Sequence, residues 1–174
     1  KEILVSEWNQ KSTDGLDRFE DYGLRQAHEM LNVVEAMMEK GVDSAHVWPL
    51  IQNSRNALSR GFEHEETTPG GDMFRLMRDM LPGKKTIDFV SGRETEFSTS
   101  DYDIHGFYGN RDAVFFIANK SNSVISVDID FRLMINDFFE NNIKVLGVLP
   151  GENPFAFNAT GVVDEVPSFD GTVA

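Results

Sequence analysis

The sequence predicts an α+β chain: a strand–helix–strand–helix unit over residues 1–82, then an antiparallel β-sandwich over residues 83–174. Three observations predict it. Apolar residues recur at three and four over 17–40 and again over 73–81, the spacing of one helix face. A short apolar run precedes each of these stretches, as a buried strand does. Beyond Pro82-Gly83 the pattern shifts to short alternating runs with polar turns, the signature of antiparallel sheets. Two strands joined by a helix of this length form the building block of doubly wound sheets and of eightfold barrels.

Ile3-Leu4-Val5 is the first strand, followed by a polar loop over 9–15. The first helix carries its stripe on Phe19, Gly23, Ala27, Met30, Leu31, Val34 and the Met37/Met38 pair. Asp14 or Asp17 is the expected cap. Lys40-Gly41 ends the helix with a favourable charge and a residue free to turn left-handed. The run 45–51, Ala-His-Val-Trp-Pro-Leu-Ile, is the second strand, leaving the sheet near Pro49. Residues 52–66 form a long polar stretch. Thr67-Thr68-Pro69 opens the second helix with a hydroxyl cap and a proline in the first turn. Met73, Phe74, Met77, Met80 and Leu81 are its apolar stripe.

In the second half, strands are expected over 86–89, 102–108, 113–119, 124–130, 143–149 and 159–163, with turns at 109–112 and 121–123. Residues 131–139 read equally as a helical turn or a bulged connection. The alternating Asp101, Asp103, Asp128 and Asp130 read as a solvated face and match no calcium loop. The methionine-rich helix stripes read as core filling.

Composition excludes several functions. The 174 residues carry 29 Asp and Glu against 16 Lys and Arg, a net charge of −13. Such a chain offers no basic face to nucleic acid, and an anionic membrane surface is disfavoured for the same reason. No apolar run approaches the roughly 20 residues that span a bilayer. With no cysteine, disulfides, thiolate metal sites and a cysteine nucleophile are ruled out. The chain opens on a strand already under way and without Met, so it reads as a piece of a longer protein.

Candidate chemistry gathers at the strand ends. Glu7-Trp8-Asn9 follows the first apolar run, and the C-terminal tips of parallel strands are where barrel enzymes carry catalytic groups. Trp48 stands at the corresponding end of the second strand, with His46 two residues before it. A carboxylate between indoles suits a sugar, whose ring faces stack on aromatics while its hydroxyls bond to carboxylates and amides. His46 reads first as a buried structural histidine and only second as a ligand, His28 and His105 read as structural, and Trp48 reads equally as a packed core aromatic. Glu63-His64-Glu65-Glu66 offers metal-ligand types but lacks the spacing of a zinc motif, so no metal site is expected.

The run Leu4-Val5-Ser6-Glu7-Trp8-Asn9 resembles the nucleophile strand of clan-A retaining glycoside hydrolases, particularly β-xylosidases and α-L-arabinofuranosidases. In those enzymes the seventh barrel strand ends in two hydrophobic residues, then Thr, Ser or Asp, then Glu, an aromatic and Asn. The order of elements is similar too: a long helix, a strand carrying Trp48, a helix opened by 67–74, and a C-terminal β-sandwich. The resemblance implies that Glu7 is the nucleophile and that Trp8, Asn9, His46 and Trp48 contact the sugar, with no cofactor. Retaining hydrolysis needs a second carboxyl about 5 Å away. In this family it is a Glu after Asn at the end of the fourth strand, and no such run precedes Glu7. A whole barrel takes roughly 250 residues, so the chain reads as the end of a barrel plus its sandwich, inactive alone. A secreted bacterial enzyme is the expected setting.

Two other readings stand beside it. One is a non-catalytic carbohydrate- or protein-binding β-sandwich, favoured by an exposed aromatic row from Tyr102, Phe107, Tyr108 and Phe115. The other is an assembly domain that self-associates through exposed apolar helix faces.

Overall fold

Strand β1 (Leu4–Trp8) and strand β2 (Ser44–Val47) pair in parallel, with helix α1 (Leu24–Glu39) between them in the chain. Leu4 lies opposite Ser44, Val5 opposite Ala45 and Trp8 opposite Val47, with a register irregularity between Val5 and Trp8. The computed structural model describes residues 1–11, 21–61, 66–87, 101–109, 112–121, 123–125, 147–148 and 162–163. The chain divides into two compact units: Lys1–Met80 with Val145–Val166, and Leu81–Lys144 with Pro167–Ala174. The described elements are mixed α and β.

In the first unit, α1 buries Gln26, Ala27, Met30 and Leu31 along one stripe. Its start differs from the sequence expectation. Gly23, read as part of the stripe, is the N-cap with a left-handed φ of 69° and no side-chain cap bond; Asp14 and Asp17 lie outside the described residues. Asp21, buried one turn before, pairs with Arg25 at 3.0 Å. The other end follows the expectation. Gly41 has φ 67°, its N–H donates to Met38 O, and Val42 N–H donates to Met37 O at 3.0 Å. This pair of bonds is a Schellman closure, which needs the left-handed residue glycine supplies at no steric cost.

Strand β2 is shorter than the predicted 45–51 and stops at Val47; Pro49, with no N–H to donate, follows. The stretch 52–66 is more than a polar loop. It sends Ala57, Leu58 and Ser59 into the core and forms the short antiparallel pair β3 (Ser59–Arg60) and β4 (Glu66–Thr67). A pair of adjacent apolar residues has no period, so sequence pattern did not expose it. Arg60 and Glu66 join across this pair at 2.9 Å.

Helix α2 (Pro69–Met80) starts as predicted. Thr68 Oγ1 accepts from Gly71 N–H at 3.1 Å and donates toward Ala57 O at 2.8 Å and Leu58 O at 3.1 Å. A Cβ on Gly71 would run into the Leu58 carbonyl, so the helix start lies directly on the backbone of the preceding loop. Thr68→Val keeps the shape, removes the cap and strands buried polar groups. It is expected to cost about 2 kcal/mol, read as a lower urea midpoint at unchanged slope.

Asp72, in the first turn of α2, is buried and pairs with Arg75 at 3.2 Å. Burial holds its carboxyl above the usual 3.8, only partly opposed by the Arg75 charge. The folded state therefore keeps the proton longer than the unfolded chain. The stability tied to the neutral form is present in full below 3.8 and is lost as pH rises through the higher folded value. Asp72→Asn cannot ionise. Its stability relative to the wild type is expected to improve as pH rises through that window, checked by urea denaturation across a pH series.

The antiparallel pair β8 (Gly147–Val148) and β9 (Val162–Val163) belongs to this first unit.

The second unit holds a three-stranded antiparallel sheet in the order β5 (Lys85–Thr86), β6 (Tyr102–Gly109), β7 (Asp112–Asn119). Residues 102–108 and 113–119 form strands as predicted, closing at Gly109 opposite Asp112. Val124 and Ile125, expected to open a strand, lie outside any strand; the rest of that run and residues 131–139 are not among the described residues. The β6–β7 register puts Asp103, His105 and Phe107 on one face and Tyr102, Ile104 and Tyr108 on the other. Phe107 is fully buried, its ring edge-on to Phe116 with centroids 5.9 Å apart. It therefore cannot join Tyr102, Tyr108 and Phe115 in an exposed aromatic row. Asp103 is no solvated aspartate either: it is buried and accepts from Lys120 Nζ at 3.0 Å.

Candidate functional site

Within the first unit, Glu7 is the penultimate residue of β1, and it is exposed. Trp48 directly follows β2, and its N–H donates to Trp8 O at 3.0 Å, continuing the parallel ladder past the end of the strand. The carboxylate of β1 and the indole after β2 thus stand at the same end of a parallel pair. Trp48 is 56 % exposed. Trp8 is half-buried, and its indole Nε1 is buried without an acceptor among the described residues. His46 is exposed rather than a buried core histidine, with Nε2 3.4 Å from Ser44 Oγ.

Asn9 has a different setting. Its Nδ2 donates to Trp48 O at 3.1 Å and to Asn56 O at 2.7 Å. Its Oδ1 accepts from Gln10 N–H at 2.7 Å and from Gln26 Nε2 at 3.1 Å. Both ends of the amide are engaged, so Asn9 fastens the end of β1 to the segment after β2. Gln26 reaches this point from α1 and also donates to Asn56 O at 2.9 Å.

The structure therefore brings Glu7, Trp8, Asn9 and Trp48 to one strand end, with His46 on β2 just before it. Gln26 and Asn56 complete the arrangement and were not singled out from the sequence. A signal for Gln26 existed: it stands four residues before Met30 and beside Ala27, on the apolar stripe, where a polar residue must find buried partners. Asn56 takes part through its backbone carbonyl, which no side-chain pattern reveals.

The parallel pair itself is poorly covered. Ile3, Leu4, Trp48, Leu50 and Ile51 are exposed. No family model matches the chain, and neither curated proteins nor solved structures give a match. No helix among the described residues is long and apolar enough to cross a membrane.

Proposed function

We propose that residues 1–80 supply the last two strand–helix units of a retaining glycoside hydrolase barrel, with Glu7 as its nucleophile. The observation that carries this reading is the exposed Glu7 near the C-terminal end of a strand parallel to the one that leads to Trp48. Parallel strands are normally covered on both faces by other elements. A two-stranded parallel sheet with exposed Leu4 and, beyond its second strand, exposed Trp48, Leu50 and Ile51 fits a sheet that continues through further strands.

In this reading the Glu7 carboxylate attacks the anomeric carbon. The leaving oxygen departs with the bonding pair and takes a proton from a second carboxyl, which a strand outside the 174 residues contributes. Water, deprotonated by that same group, then opens the glycosyl ester and restores Glu7. Trp8 and Trp48 offer the apolar surface for the sugar ring, and His46 a hydrogen-bonding edge. Sugars of the xylose and arabinose class are the first substrates to test, and a secreted bacterial enzyme is the setting in which to look.

The reading is tested by trapping. A 2-deoxy-2-fluoroglycoside with a dinitrophenolate leaving group needs no acid to depart, and the fluorine slows hydrolysis of the ester. Incubated with the intact parent polypeptide, it is expected to add one sugar mass to the peptide containing Glu7. Turnover of the parent with the label on another carboxylate would sink the assignment.

A further inference from the structure

We propose that Gln26 is a positioning residue for this site, setting the distance between the strand end that bears Glu7 and the segment that bears Trp48. The proposal rests on the reading of Glu7 as nucleophile.

The bonding pattern leaves the two amides one orientation. Gln10 N–H can only donate, so the Asn9 atom it meets at 2.7 Å is the oxygen. Asn9 Nδ2 then spends its two hydrogens on the carbonyls of Trp48 and Asn56. Gln26 must approach the Asn9 oxygen with its own nitrogen, whose two hydrogens go to Asn9 Oδ1 and Asn56 O. The Asn56 carbonyl accepts from both amides. Each donor of the pair is used once, and three segments of chain meet in one closed set of bonds: the end of β1, helix α1 and the segment after β2.

Gln26 is 1 % exposed, so water does not substitute for its bonds. Helix α2 makes room for it: a Cβ on Gly70 would sit 3.0 Å from Gln26 Cδ. A long amide on a buried helix stripe, aimed at the end of the neighbouring strand, does more than fill volume. A Met of similar size would fill the space without donating. Removing the donor leaves Asn9 Oδ1 with Gln10 N–H alone and Asn56 O with Asn9 Nδ2 alone, so helix α1 no longer ties the strand end to the segment after β2. The strand end holding Glu7 and the segment bearing Trp48 would keep their direct bonds, Trp48 N–H to Trp8 O and Asn9 Nδ2 to Trp48 O, but lose the buried brace from α1 that fixes them.

The test uses the intact parent polypeptide with 4-nitrophenyl β-xyloside and α-L-arabinofuranoside, and the variants E7Q, Q26M and Q26E. Q26M is expected to lower kcat about 10- to 100-fold, since small displacements of a reacting group carry penalties of that order. KM should stay within about twofold, because the sugar-contacting groups themselves remain. Tryptophan emission should shift as well, for Trp8 and Trp48 are the two tryptophans of this chain, and it is compared with the wild type in the 174-residue chain. Q26E is the second variant. Its ionised carboxyl cannot donate, its protonated form can, and burial raises the pH at which it takes up the proton. Its activity relative to wild type should recover as pH falls, which a volume-filling role would not produce. Wild-type kcat in Q26M, or a Q26E ratio flat with pH, overturns the role of Gln26 while an inactive E7Q leaves the site standing. Undiminished hydrolysis by E7Q overturns the site and this role together.

Discussion

With Glu7 as the proposed nucleophile, Glu7→Gln in a longer polypeptide that completes the proposed barrel is expected to reduce glycoside hydrolysis by at least about a thousandfold, the scale on which removal of a covalent nucleophile acts. The substitution keeps the size of the side chain and removes its negative charge. Glu7 is exposed and lies on a short strand whose ladder bonds are made by the backbone, so folding should be unaffected and circular dichroism unchanged. Substrate affinity should persist. A second variant sharpens the result. Glu7→Ala opens space at the anomeric carbon, and added azide can then displace the activated leaving group directly. The expected product is a glycosyl azide of inverted configuration, because one displacement replaces two. A solvated strand-end carboxylate without a chemical role would instead leave turnover within about twofold, the range of ordinary surface substitutions.

Met30→Ala is expected to cost about 2–5 kcal/mol of stability, the range for removing a fully buried methionine side chain. Met30 has no exposed surface and sits at the centre of the stripe that α1 buries, one turn from Gln26 and beside Leu31. Helices α1 and α2 pack together in the same unit, so a cavity there weakens the base on which the strand ends rest. The measurement is a urea titration: the midpoint should fall and the slope should hold. Met30→Leu, close to the same volume, should lose less than about 1.5 kcal/mol. Equal losses in the two variants would mean that the shape of methionine, and not its volume, is what the site needs.

Much of this chain was legible because its signals are local. The start of α2 rests on Thr68 and Pro69, neighbours in sequence whose roles follow from a hydroxyl and a missing N–H. The end of α1 rests on the left-handed freedom of Gly41. The strand 102–109 announces itself by alternation, and 112–119 by a continuous apolar run between a turn and a polar end. Where sequence and structure differ, a backbone conformation or a distant contact decided. Gly23 had a place on the stripe by spacing, yet its conformation makes it the N-cap. Asp103 alternated like a solvated residue, yet it is buried in the sheet and forms a partly buried ion pair with Lys120, 17 positions away. Phe107 alternated with its neighbours without revealing which face of the hairpin would be buried.

The same division runs through the candidate site. The tripeptide Glu7-Trp8-Asn9 marked the strand end by residue type alone, and Trp48 marked the next one. That the two strands run parallel, and that Trp48 N–H continues their ladder onto Trp8 O, is a property of the folded chain. So is the work of Asn9. Its sequence position makes it a sugar-binding candidate, but its bonds go to Trp48 O, Asn56 O, Gln10 and Gln26, residues from 1 to 47 positions away.

By itself the sequence determined the end of α1, the start of α2 and the two strands that meet at Gly109 and Asp112, because caps, prolines, glycines and turn residues act over one or two turns. Only the tertiary structure decided which polar groups meet. A buried amide must satisfy every donor it carries, and its partners can come from anywhere the chain returns to. Gln26 is the clearest instance: an unremarked residue on a helix stripe, it becomes the link between two strand ends once α1 lies beside them.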